Sequence, residues 1–236
     1  MPPITALSPD ERDAIESGRW FARLSAPLQD AILGCAQVRR LPDGAALSAR
    51  GEPAAEWCGV AAGAVRVSSV SLSGKQVALT YIEPGIWFGD ISLFDGMPRT
   101  HDAATHGPTT LLVVARADFH GLLERHPELY DALLRLNCRR LRLMFDLIED
   151  LNTRPLAARL AKQILLLARA YGQPEPDGSL RIGLQLAQED LAELLGASRQ
   201  RVNLELKGLE RQGALRIEPA RLIVLDKAQL LELAGR

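Results

Sequence analysis

Leu129, Leu133, Leu136, Arg140, Leu143, Leu147 and Leu151 follow one another in steps of four or three. This near-heptad spacing demands one continuous helix of about 25 residues with an apolar seam. Met144, Phe145 and Ile148 add apolar side chains on other faces, so the helix must be covered on several sides. That favours a dimer coiled coil over a helix packed only on its own domain. The stretch before it reads differently. From about residue 38 to 118, short apolar runs ("WCGVAAGAVRVSSV", "QVALTYI", "TTLLVVA") alternate with turn signals. Pro42-Asp43-Gly44, Arg50-Gly51-Glu52-Pro53, Ser73-Gly74, Pro84-Gly85, Asp95-Gly96 and Gly107-Pro108 supply them. Such punctuation predicts an antiparallel barrel or sandwich.

Residues 9–36 read as helical, with Pro27 opening a new helix. Arg154-Pro155 breaks the long helix. Residues 156–171 form a further amphipathic helix, "GQPEPDGS" a loop and "LRIGL" a short strand. A three-helix-like region over 187–212 precedes two apolar runs joined through Glu218-Pro219-Ala220-Arg221, a hairpin. The fold class is therefore α+β, in three parts. These are a β-rich domain over 1–125, a dimerisation helix over 126–153 and a C-terminal domain over 154–236.

The segment "LAQEDLAELLGASRQRVNLELKGLERQGAL" has helix-turn-helix spacing. Leu191, Leu194 and Leu195 give the first helix its apolar face, and Gly196 permits a left-handed turn. Ser198 can cap the second helix. Val202, Leu206 and Leu209 bury its inner face, leaving Arg199, Gln200, Asn203 and Lys207 outward. Arginine can fork to guanine and glutamine can pair with base edges; Arg201, Asn203 and Lys207 suit phosphates. An ordinary helical hairpin with a solvated basic face is the simpler alternative; the adjoining hairpin, as a wing, weighs against it. Charge agrees mildly. Residues 154–236 hold 13 Lys+Arg against 10 Asp+Glu, whereas residues 1–153 hold 15 against 19.

Other classes find less support. No run of about 18 apolar residues predicts a membrane span, and the N-terminus lacks a basic start followed by an apolar run. Cys35, Cys58 and Cys138 are odd in number and lack CxxC spacing, which points to a reducing cytoplasm without a zinc or iron–sulfur site. His101, His106, His120 and His126 follow no HExxH pattern, and Ser68, Ser69, Ser71 and Ser73 no GxSxG context. No constellation supports an enzyme. Trp20, Phe21, Trp57 and Trp87 read as core or domain-contact aromatics.

"GASRQRVNLELKGLERQGAL" resembles the recognition helix of the Crp–Fnr family of bacterial transcription regulators. "ARGEPAAEWCGVAAGAVRV" and "GIWFGDISLFDGMPRT" resemble that family's cyclic-nucleotide-binding β-roll, and the likeness runs from about residue 20 to 226. It implies a jelly-roll-like antiparallel β-roll with flanking helices, a long dimer helix and a winged helix-turn-helix. It implies a homodimer that sets two recognition helices in successive major grooves of double-stranded DNA, with RNA polymerase as a candidate partner. Position by position, Arg199 becomes the main base reader. Gln200 stands where the best-known members have Glu, and Leu204 where they have a DNA-contacting Arg, so a different half-site is expected.

The resemblance also makes the loop over 88–103 a cradle for a cyclic phosphate. Gly89 lets the backbone approach, and a short helix from near Asp90 through Ile91 and Ser92 offers amides. Arg99 supplies a charge-assisted fork and Thr100 a hydroxyl. Asp90 sits where the family's Glu accepts from the ribose, but is shorter by about 1.5 Å. His101 adds bulk after the hydroxyl. Met144 and Phe145 fall where cyclic-AMP responders carry hydroxyl residues for the adenine. Three readings stay open: cyclic di-GMP as effector, cyclic AMP held through phosphate and ribose, or a relic with Arg99 paired to Asp90, Asp95 or Asp102. A nucleotide-binding module acting on a protein partner is the alternative from another class.

Overall fold

The computed structural model describes residues 7–70, 74 and 76–235; Ser71 and Ser73 lie outside the described residues, as does half of the Ser73-Gly74 turn. The chain packs as two compact units, one of Met1–Ser69 with Thr80–Arg142, the other of Val70–Leu79 with Leu143–Arg236.

The first unit opens with helix α1 (Pro9–Glu16), whose start is a capping box: Ser8 Oγ accepts from Glu11 N–H while Glu11 accepts from Ser8 N–H. A 3₁₀ turn (Phe21–Arg23) leads to α2 (Ala26–Cys35), which has Pro27 in its first turn as expected. Strands β1 (Gln37–Leu41), β2 (Ala46–Ser48), β3 (Glu56–Val70), β4 (Gln76–Ile82), β5 (Trp87–Phe88) and β6 (Asp102–Ala115) form one sheet. Its order is β1-β6-β3-β4, with β2 on β6 and β5 on β3. Strand β6 pairs antiparallel with both β1 and β3, so Leu112 faces Val38 on one side and Gly59 on the other.

Helix α3 (Ile91–Asp95) interrupts the sheet between β5 and β6, and α4 (Arg116–Arg125) follows it. Trp20, Phe21, Trp57, Trp87 and Phe119 form the centre of the core, with Trp57 and Trp87 ring centroids 4.4 Å apart. Large aromatics of this kind dominate the burial energy of a small core. The aromatics expected to be buried are therefore buried.

Helix α5 (Glu128–Thr153) is the predicted long helix. Its expected seam divides. Leu129 and Leu133 are fully buried in the first unit's core, and Trp20 Nε1 donates to the Ala132 carbonyl at 3.0 Å. Burying each leucine contributes about 1.5–3 kcal/mol. Arg140 forms an ion pair, whereas Leu143, Leu147 and Leu151 are 58%, 41% and 48% exposed. Periodicity gave the helix correctly; its one apolar face is buried in the first unit at Leu129 and Leu133 and exposed in the single chain from Leu143 onward.

In the second unit, α6 (Leu156–Tyr171) is followed by β7 (Gly172–Pro174) and β8 (Leu180–Ile182). The region expected to be three-helix-like over 187–212 holds two helices instead, α7 (Gln188–Leu195) and α8 (Arg199–Arg211). Strands β9 (Leu215–Glu218) and β10 (Arg221–Val224) form the predicted hairpin, and its tip residue Ala220 has φ 55. The four strands align β7-β8-β10-β9. Helix α9 (Lys227–Gly235) packs back on α6. Strand β7 lies inside the stretch expected to be loop, and nothing in the sequence reading anticipated α9. No described helix is long and apolar enough to cross a membrane.

Candidate functional site

The loop between β5 and β6 belongs wholly to the first unit. Gly89 has φ 94, a region that side chains rarely adopt. It turns the chain so that its own carbonyl accepts from Arg99 Nη1 at 2.9 Å. Arg99 Nη2 donates to the Glu56 carbonyl at 2.6 Å. The backbone of Arg99 is pinned as well, its N–H to Glu52 O and its carbonyl from Gly51 N–H, both 2.8 Å. Glu56 is in turn clasped by Arg39 through two bonds of 2.6 and 2.9 Å. The guanidinium is therefore held by two carbonyls, which carry no net charge. The pairing of Arg99 with Asp90, Asp95 or Asp102 that the relic reading required is not formed: its partners are the two carbonyls. Asp95 Oδ1 accepts from Met97 N–H and Asp102 Oδ1 from Arg50 N–H. An arginine has five N–H groups, so two bonds to carbonyls leave donors for an anion.

Asp90 is fully buried. Its Oδ1 and Oδ2 accept from Arg140 Nη1 at 2.9 and 3.0 Å, and Oδ2 also from Asn137 Nδ2 at 2.9 Å. Arg140 Nη2 reaches the Trp87 carbonyl. The carboxylate expected at the ribose position is thus satisfied from α5 by this chain's own side chains. Ser92 is buried and its hydroxyl donates to Pro98 O at 3.3 Å. Ile91 is 52% exposed. Thr100 is exposed, with its hydroxyl 2.8 Å from His101 Nδ1. Helix α3 leaves the N–H groups of Ile91 and Ser92 without intrahelical partners. A short helix does begin after Asp90, whereas Asn137 and Arg140 escaped notice because their contacts to Asp90 lie 47 and 50 residues away. Met144 and Phe145, which belong to the second unit, are 50% and 62% exposed.

In the second unit, Gly196 adopts the left-handed conformation (φ 59) that ends α7. Ser198 caps α8, its Oγ accepting from Arg201 N–H at 3.3 Å. Val202, Leu206 and Leu209 are buried beneath the helix, as their spacing requires. Arg199, Gln200, Arg201 and Lys207 are exposed. Asn203 is half-buried and accepts from Gln188 Nε2 on α7 at 3.1 Å. Arg199, Gln200, Asn203 and Gln188 line one surface depression.

Residues 38–126 match the model of the cyclic nucleotide-binding domain, and residues 158–233 that of the Crp-like helix-turn-helix domain. The chain is 33% identical over 189 residues to a CRP-like cAMP-activated global transcriptional regulator of Mycobacterium tuberculosis, covering 80% of this chain and 84% of that protein. It is 31% identical over 217 residues to the cyclic AMP receptor protein of Thermus thermophilus, covering 91% and 95%. The chain belongs to the Crp–Fnr family. A solved CRP/FNR-family transcriptional regulator from Thermus thermophilus superposes with a TM-score of 0.72 at 26% identity, covering 85% of this chain and 99% of that one.

As a Crp–Fnr transcription regulator, the chain carries its two functional regions on separate units, joined through α5. The loop around Arg99 lies within the cyclic nucleotide-binding match, and the α7–α8 pair within the helix-turn-helix match. Arg140 and Asn137 lie beyond the nucleotide-binding match, on the helix that joins the two.

Proposed function

We propose that this regulator binds double-stranded DNA as a homodimer under control of a cyclic mononucleotide, with cyclic AMP first among candidates. The observation that carries the effector reading is the pinned Arg99: its guanidinium is fixed by neutral carbonyls beside the exposed Thr100 hydroxyl. One guanidinium and one hydroxyl match one phosphodiester, and an arginine not spent on a carboxylate keeps its charge for it. Relatives at 33% and 31% identity are cyclic-AMP proteins, which supports the same nucleotide class. Gly89, the amides of Ile91 and Ser92, Arg99 and Thr100 would form the phosphate side. Cyclic di-GMP is the comparison ligand.

Dimerisation is supported by a second stripe on α5. Leu134, Leu141, Phe145 and Ile148 recur at heptad-compatible spacing and are 64%, 55%, 62% and 55% exposed. Arg199 and Gln200 would read base edges, with Arg201 and Lys207 near the backbone. The protein would act in the cytoplasm, where DNA and RNA polymerase are found. Retardation of genomic fragments, with and without each nucleotide, tests the whole reading. Salt-sensitive binding that cyclic AMP strengthens is expected, and it should lose sequence preference in Arg199→Ala. Equal binding by parent and Arg199→Ala, or indifference to every cyclic nucleotide in both retardation and calorimetry, refutes the corresponding half.

A further inference from the structure

Asparagine carries one acceptor and a two-proton donor at the same reach, so a free asparagine on a recognition helix can read either kind of base edge. Asn203 is not free. Gln188 Nε2, from the first residue of α7, donates to its Oδ1 at 3.1 Å. With the oxygen engaged by Gln188, the N–H pair of Asn203 is the part of the amide left for a further partner. Asn203 stands four residues after Arg199 and three after Gln200, hence on their face of α8. All three line the same depression, together with Gln188.

We propose that Gln188 is a positioning residue that sets base specificity by fixing Asn203 as a donor. Asn203 then selects a base whose major-groove edge offers an acceptor: guanine O6 or N7, adenine N7, or thymine O4. Cytosine, whose edge there is the N4 donor, is rejected at that position. This inference rests on the DNA-binding reading above, because it concerns which base one residue of that surface reads. It differs from the phosphate role that the spacing of Asn203 suggests, and it makes a helix outside the recognition helix part of the specificity.

Selection of preferred sites from a randomised duplex pool tests it on the full chain. The parent and Asn203→Ala are compared first, to find the base pair that Asn203 reads. Gln188→Met then removes the inner hydrogen bond without adding charge, and should relax discrimination at that pair by on the order of tenfold. Gln188→Glu can only accept, so Asn203 must donate to it and leave its oxygen for the base. The preferred base there should then move toward a donor edge, cytosine N4 or adenine N6. If the parent shows preferences and both Gln188 variants keep them unchanged at the Asn203 pair, the inference fails and the DNA-binding reading stands. If Asn203→Ala weakens every sequence equally, Asn203 reads phosphate and the inference also fails. A parent with no sequence preference overturns the DNA-binding reading and this inference with it.

Discussion

Removing Arg140 should unfold the first unit far more easily than its 29% exposed side chain suggests. Asp90 is fully buried, and Arg140 donates to both of its oxygens while Asn137 donates to one. In Arg140→Ala the carboxylate keeps only the Asn137 N–H from a side chain, and the Trp87 carbonyl loses a partner. Breaking a buried pair this way costs about 3–5 kcal/mol, because the remaining charge has no compensation. With a urea slope of about 2 kcal/mol/M, the midpoint should fall by about 1.5–2.5 M. All three tryptophans lie in the first unit, Trp87 adjoining the pair, so their fluorescence reports that unit alone. Asp90→Asn should cost less, about 1–2 kcal/mol, since Arg140 retains solvent and the Trp87 carbonyl. The double variant Asp90→Asn/Arg140→Ala should be more stable than Arg140→Ala by itself, since a buried amide tolerates a missing partner better than a buried carboxylate. Arg135→Ala, which breaks the exposed pair to Asp131, is the control and should leave the midpoint unmoved. A shift under about 1 kcal/mol for Arg140→Ala, or a double variant weaker than that single one, would refute the argument.

Four further outcomes follow from particular side chains. Burial, reinforced by the Glu56 charge, pushes the Cys58 thiol up to about 12, and burial pushes Cys35 up to about 11, from an ordinary 9.0. A thiol-specific colorimetric reagent near neutral pH should therefore label exposed Cys138 at once and the other two only after unfolding. Because the folded thiol holds its proton longer than the unfolded one, Cys58 should also make stability fall as pH climbs from about 9 toward about 12. Gly89→Ala puts a Cβ 2.9 Å from Glu56 O and 3.0 Å from Arg99 Nη1 at φ +94. It should cost about 1–3 kcal/mol in denaturation and abolish calorimetric nucleotide binding. Gly96→Ala, at φ +70 with open space around it, should retain the binding, and loss in both variants would undo the distinction. Leu141→Glu should halve the mass measured by light scattering, whereas an unchanged mass would remove α5 from the dimer contact.

Local physics was legible from the residues. Turn pairs located the strands, Pro27 a helix start, and Gly196 with Ser198 the turn and cap before α8. The inner face of the recognition helix followed from Val202, Leu206 and Leu209 at helical spacing. These features depend on neighbours within about one helical turn, and a sequence displays such neighbours directly. Strand β7 stayed hidden because three residues in a Pro- and Gly-containing stretch become a strand only when β8 offers its backbone. Helix α9 depends likewise on packing against α6.

What the tertiary structure alone decided is where polar and apolar groups end. Arg99 is met by the carbonyls of Gly89 and Glu56, groups that every residue possesses and that leave no mark in composition. Arg140 occupies a leucine-like position in the seam, yet its partner Asp90 is 50 residues distant, so spacing could not reveal a buried ion pair. The same seam runs from the core at Leu129 to exposure at Leu143. Periodicity records that a face is apolar; only packing determines whether its own domain or a second chain covers it.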